Sequence, residues 1–216
     1  LDEANLSPME YYWSDFMNLC DELDENSSVN LGADYIFSVP ETLRFVATIN
    51  NDHTTEELSP RLIDRACIIT LPDFDARTLP AAAKIPASNV EIISWQNLRD
   101  AFNPPNPSLK NFPAEPYGVL VDKLKAAGFS VSPRVQISIQ KYFAAAEKFL
   151  GKVAAFDYAV AQKILPKIQG SDDNFKAWLT DFQKTCAAYK LARSEKILQK
   201  ILERGEKNLG YYRFFA

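Results

Sequence analysis

From Tyr117 onward the apolar residues return at helical spacing, and this leaves the second half of the chain little to form but packed helices. Residues 117–127 stop at Gly128, a residue suited to a helix C-cap. Ser132-Pro133 supplies an N-cap and a first-turn proline to a helix on which Val135, Ile139, Tyr142, Phe143, Ala146 and Phe149 share one face. The same spacing predicts helices over 157–168, 174–191 and 193–208. Phe175, Trp178, Leu179 and Phe182 read as core. The closing YYRFF reads as a packed terminus, with docking on a partner as the alternative.

The first seventy residues have a different texture. Ser7-Pro8-Met9-Glu10 combines an N-cap, a first-turn proline and a capping-box glutamate, and predicts a helix running to about Leu23. Residues 35–39 and 43–49 are short and β-rich, and the second, LRFVATI, is continuous enough for a buried parallel strand. Ser59-Pro60 opens a short helix through about Arg65, and CIITL at 67–71 reads as another buried strand. Between the two textures, proline and asparagine crowd the run NPPNPSLKNFPAEP, with a short strand over 90–93 and a helix over 94–102 expected nearby. The expected fold class is therefore α/β followed by all-α, divided into 1–72, a linker or insertion at 73–116, and 117–216.

Composition narrows the function. Net charge is −4 and the isoelectric point about 5.2, so no global basic field points to nucleic acid or an anionic membrane. Cys20, Cys67 and Cys186 are widely spaced without a CxxC and read as reduced thiols of a cytoplasmic protein. One histidine, His53, leaves little scope for histidine catalysis or metal binding and reads as a loop residue. No apolar run reaches the roughly 18 residues that span a bilayer, and no signal-peptide pattern precedes the first helix.

Four short pieces carry candidate chemistry. Asp2-Glu3 follows an apolar residue at the expected carboxyl end of a strand, the edge at which open α/β sheets bind ligands. An aspartate there can hold Mg²⁺ through a water, and a neighbouring glutamate can orient or deprotonate an attacking water. Asn50 ends the LRFVATI strand and brings an amide to the same edge. In LSPRLIDRA, Arg61 and Arg65 share a helix face, and Arg134 stands in the first turn of the helix after Ser132. Guanidinium suits phosphate oxygens and the charge of phosphoryl transfer. Taken singly, each piece has a plainer reading: solvated carboxylates, a turn after a strand, exposed ion pairs of Arg61 and Arg65 with Glu56, Glu57 or Asp64, and a surface arginine. A cation in a helix's first turn, however, opposes the helix dipole.

Taken together, LDEANLS, FVATINNDHT, LSPRLIDRA and SPRVQISIQKYFAAA resemble, in order and spacing, the carboxyl-terminal part of an AAA+ ATPase, nearest the McrB-type and MoxR-like branch. The resemblance implies the end of a parallel-sheet core, beginning within the Walker B strand, followed by a helical lid with a carboxyl-terminal extension. It implies that Asp2 coordinates the Mg²⁺ of ATP, or of GTP, and that Glu3 activates water. Asn50 becomes the sensor of the γ-phosphate, with Asn5 helping to position Glu3. Arg65 becomes the finger reaching a neighbouring subunit's nucleotide, with Arg61 as second candidate, and Arg134 the lid sensor. A homo-oligomeric ring, expected to be a hexamer, follows from a finger that acts in trans. DNA or protein is the expected substrate of the motor, a nuclease or other effector subunit its partner, and no membrane is involved.

One departure qualifies this. No GxxxxGK[ST] occurs in the chain, and that loop cradles phosphates with backbone amides and a lysine. The missing initiator methionine and the opening inside an expected strand favour a fragment of a longer ATPase, inactive alone. The alternative is a catalytically silent AAA+-like interaction or scaffold module.

Overall fold

The computed structural model describes residues 1–20, 27–32, 34–51, 55–71, 92–102 and 108–215. His53, the first half of the strand expected over 90–93 and the proline run at 103–107 lie outside these residues.

The N-terminal part holds helix α1 (Met9–Met17), which tightens into a 3-10 turn at Asn18–Cys20, and an antiparallel hairpin of β1 (Ser28–Asn30) and β2 (Ile36–Ser38). Helix α2 (Pro60–Arg65) follows. Ser59 caps it by accepting from the Leu62 N–H, and Pro60 pre-sets the first turn, so this boundary follows from local chemistry. Ala4, Met9, Trp13, Met17 and Leu62 form a small core, with Phe45 edge-on to Trp13 at 4.9 Å.

After α3 (Trp95–Phe102), the remainder is a helical assembly of α4 (Ala114–Ala126), α5 (Pro133–Leu150), α6 (Lys152–Lys163), α7 (Asp173–Ala188) and α8 (Ala192–Lys207). Strands β3 (Gln169–Ser171) and β4 (Tyr211–Arg213) close it as an antiparallel pair. Leu120, Ile139, Phe143, Phe156, Phe182 and Leu198 meet in its core, each virtually inaccessible. Burying a side chain of this size stabilises by about 1.5–3 kcal/mol, so this part carries most of the fold's apolar stabilisation. Gly151, at φ +78, lets α6 begin one residue after α5 ends.

Two buried polar side chains organise helix ends. Asp157 of α6 accepts from the N–H groups of Arg193 and Ser194 at 2.7 and 2.9 Å, and from the Ser194 hydroxyl at 2.6 Å. It thereby caps α8, which has no side-chain cap of its own. Lys163, also buried, donates to the carbonyls of Arg65 and Ala66 at 3.1 and 2.9 Å and so satisfies the carboxyl end of α2.

The expected parallel-sheet core of an AAA+ ATPase is not what the described residues form. Among the described residues, 58% are helical and the sheets are two antiparallel pairs of strands. Residues 43–49 run extended beside Leu1, whose N–H donates to the Val46 carbonyl at 2.8 Å and whose carbonyl accepts from Thr48 N–H at 2.9 Å. This contact has the offset of a parallel pair, but the backbone turns at Glu3, and the next bond, Ala4 N–H to the Thr48 carbonyl, leaves that register. A parallel strand must be covered on both faces, yet Val46 is 78% exposed. In 67–71, Ile69 and Leu71 are 68% and 80% exposed, and the segment lies against helices through Ile68 N–H to Gln162 O and Arg193 to Thr70 O. An apolar run records a preference for burial; it does not supply the strands that would bury it. The purely helical reading of the second half is corrected too, since β3 and β4 lie within it. No helix among the described residues is long and apolar enough to cross a membrane.

Candidate functional site

The residues singled out in the first fifty converge. Glu3 sits at φ 46, a left-handed conformation that costs a non-glycine residue about 1–2 kcal/mol. Thr48 holds it there: its hydroxyl accepts from Glu3 N–H at 2.8 Å and its carbonyl from Ala4 N–H at 2.8 Å. The same hydroxyl donates to the Asp2 carboxylate. Backbone strain held in place by surrounding bonds gathers at functional sites, and here it turns the two acidic side chains toward the end of the 43–50 segment.

Asn50 completes the cluster. Its Nδ2 donates to Glu3 Oε1 at 3.3 Å. Its backbone is clamped by Asn5, only 4% exposed, whose Oδ1 accepts from Asn50 N–H at 3.0 Å and whose Nδ2 donates to Asn50 O at 2.8 Å. Asn5 was expected to help position Glu3; in the structure it grips Asn50, and it also donates to Glu56 O at 3.2 Å. Asp2, Glu3 and Asn50 are themselves exposed, so a fixed amide and two carboxylates meet at the surface on a buried support.

A second constellation gathers around Asp64 of α2, and of the three arginines Arg134 is the one whose charge acts on it. Ser132, the N-cap of α5, donates to Asp64 Oδ2 at 2.7 Å, and Lys167 forms an ion pair with Oδ1. Burial alone raises the pKa of Asp64, but the bonds from Lys167 and Ser132 and the nearby charges of Lys167 and Arg134 outweigh it and hold the carboxyl below 3.8. Arg134 thus lies within electrostatic reach of Asp64. Arg65 turns back along its helix to the Arg61 carbonyl at 3.1 Å, and Arg61 is exposed.

The donor set near Asp2 suits a hard cation: carboxylate, hydroxyl and amide oxygens. Among the described residues no group of three or more His, Cys, Asp or Glu is arranged to hold a metal. A Mg²⁺ bound through one carboxylate, waters and substrate phosphates needs no such group, so the residues fit that ion. Sequence reasoning passed over Thr48, although the period of two along an extended segment puts it on the same side as Asn50. It also passed over Asp64 as a structural hub, because its partners lie 68 and 103 residues away. A separate cavity of about 360 Å³ lies wholly in the helical part, lined by Phe112, Glu115, Lys152, Tyr189 and Leu191 among others.

Comparison with curated proteins and with solved structures finds no match for the chain. Residues 93–211 match the family described as Domain of unknown function (DUF8727); this stretch runs from α3 to the first residue of β4 and leaves the Asp2–Asn50 cluster outside. It spans more than half of the sequence, and the chain belongs to that family.

Proposed function

We propose that the Asp2–Glu3–Asn50 cluster is the metal- and water-handling half of a site that hydrolyses a nucleoside triphosphate. The observation that carries this reading is the 3.3 Å contact between Asn50 Nδ2 and Glu3 Oε1 on a support built by Asn5 and Thr48. A water beside the pair, in reach of both that amide and that carboxylate, is oriented by Asn50 and loses its proton to Glu3 as its oxygen attacks the γ-phosphorus. The bond to the β,γ-bridging oxygen breaks, giving the diphosphate and inorganic phosphate. Asp2, held by the Thr48 hydroxyl, would bind Mg²⁺ through a water. That ion would supply charge neutralisation at the phosphates. The four-motif resemblance to AAA+ ATPases supports the same assignment.

The sequence contains no GxxxxGK[ST], so this reading requires a phosphate cradle from residues outside these 216. It also assigns Arg65, with Arg61, to the nucleotide of a neighbouring copy in a ring, and Arg134 to the nucleotide bound by its own chain. The energy released would drive remodelling of a protein or movement along DNA, with the stimulating polymer identifying which.

The test is phosphate release from ATP and GTP, with Mg²⁺ and with chelator, by the longest natural polypeptide containing this chain and by the chain alone. Metal-dependent turnover by the former and none by the latter is expected. A folded long form that neither binds nor hydrolyses either nucleotide overturns the proposal and leaves the cluster as part of an interaction module.

A further inference from the structure

We infer that Arg213, on the last strand of the helical part, is a positioning residue for Asn50, acting through the 55–57 loop. The path is continuous. Arg213 forms an ion pair with Glu57. The adjacent Glu56 donates its N–H to Asn5 O at 2.8 Å and accepts from Asn5 Nδ2 at 3.2 Å. Asn5 in turn clamps both backbone polar groups of Asn50, whose amide faces Glu3. Thr55 adds a hydroxyl bond to Asn50 O at 3.1 Å, so the loop grips Asn50 at the same carbonyl that Asn5 holds.

The far end of this path is anchored in the helical part. Arg213 pairs with Gln169 in the β3–β4 ladder, and Phe214 N–H donates to Ile168 O at 3.1 Å. Between them Tyr212 is buried against Gly205 of α8, where a Cβ would come within 2.0 Å of the ring. Arg213 also lies over the Tyr211 ring, 5.4 Å from its centroid. Asp64 and Lys163 fasten α2 beyond Ser59, but Arg213 takes hold of the loop that itself touches Asn5 and Asn50. Docking of the carboxyl-terminal strand therefore sets the order of the amide at the acidic cluster. A helical part that shifts would loosen that amide without contacting it.

The positional claim stands on these contacts; its catalytic consequence rests on the hydrolysis reading above. Hydrogen exchange on the chain separates the two, because it needs no nucleotide. Arg213→Ala should raise exchange at the Asn50 and Glu56 amides about tenfold by local opening, while the amides of Ile139 and Phe143 in α5 stay unchanged. The charge-swapped pair Arg213→Glu with Glu57→Arg should bring the rates back to within about twofold of wild type. If Arg213→Ala loosens α5 as well, Glu57→Gln decides, since it leaves β4 intact and is expected to give the same tenfold rise. Unchanged exchange at Asn50 and Glu56 in Glu57→Gln, or a rise that the swap does not reverse, overturns the inference. In phosphate release, Arg213→Ala is expected to lower kcat about tenfold with KM within about twofold.

Discussion

Ser132 caps α5 with the same hydroxyl that it donates to Asp64 of α2, at 2.7 Å. One side chain thus fixes a helix start in the large core and the orientation of a helix whose Leu62 belongs to the small core. With Lys167 and Lys163, it makes α2 the strut between the acidic cluster's support and the helical assembly.

That strut is sensitive to pH in a defined direction. The folded pKa of Asp64 is lowered from 3.8, so its contribution is fully present above 3.8 and is lost as the pH falls through the lower folded value. Asp64→Asn is expected to cost about 1–2 kcal/mol at neutral pH, discounted for partial exposure. Denaturant unfolding of both proteins should show the difference shrinking below pH 3.8.

Asp157 tests the cap supplied from another helix. Its carboxylate takes two backbone N–H groups and a hydroxyl at the start of α8, and the two bonds from Ser194 are buried. Asp157→Ala orphans those donors and is expected to cost about 2–4 kcal/mol, with Asp157→Asn costing less because an acceptor remains. Chemical denaturation measures both.

Gly205 inverts the usual helix rule. Replacing an interior helical glycine by alanine ordinarily gains about 0.5–1 kcal/mol, but here the new Cβ would lie 2.0 Å from a Tyr212 ring carbon. Gly205→Ala should therefore lower the melting temperature and raise exchange at the β3–β4 amides.

The three thiols should separate by reactivity. Burial pushes the Cys186 thiol up to about 12, which keeps it protonated and unreactive, while Cys20 and Cys67 are exposed. Iodoacetamide on the native protein should label two cysteines, and the third only after denaturation.

Features fixed by neighbours in the chain were legible in the sequence. Ser59-Pro60 and Ser132-Pro133 both start helices through the expected serine caps, and Tyr212 and Phe214 of the closing YYRFF are buried. Features fixed by distant partners were not. LRFVATI and CIITL read as buried strands because apolar content does not name what covers it, and Val46, Ile69 and Leu71 lie open. In the candidate site, Asp2, Glu3 and Asn50 stood out by residue type at an expected sheet edge, and a family resemblance supplied their roles and added Asn5. The support of Asp2 and Glu3 by Thr48, and the link from Arg213, depend on pairings 45 to 156 residues apart that no local pattern encodes.

The most direct measurement is nucleotide binding and phosphate release by Glu3→Gln in the longest natural polypeptide containing this chain. The substitution keeps the acceptor for Asn50 and removes the base. Nucleotide affinity should stay within about threefold of wild type while turnover falls about 10²–10⁴-fold, the range of a lost general base. Turnover equal to wild type would contradict the assignment of Glu3 and, with it, the reading of the cluster as a hydrolytic site.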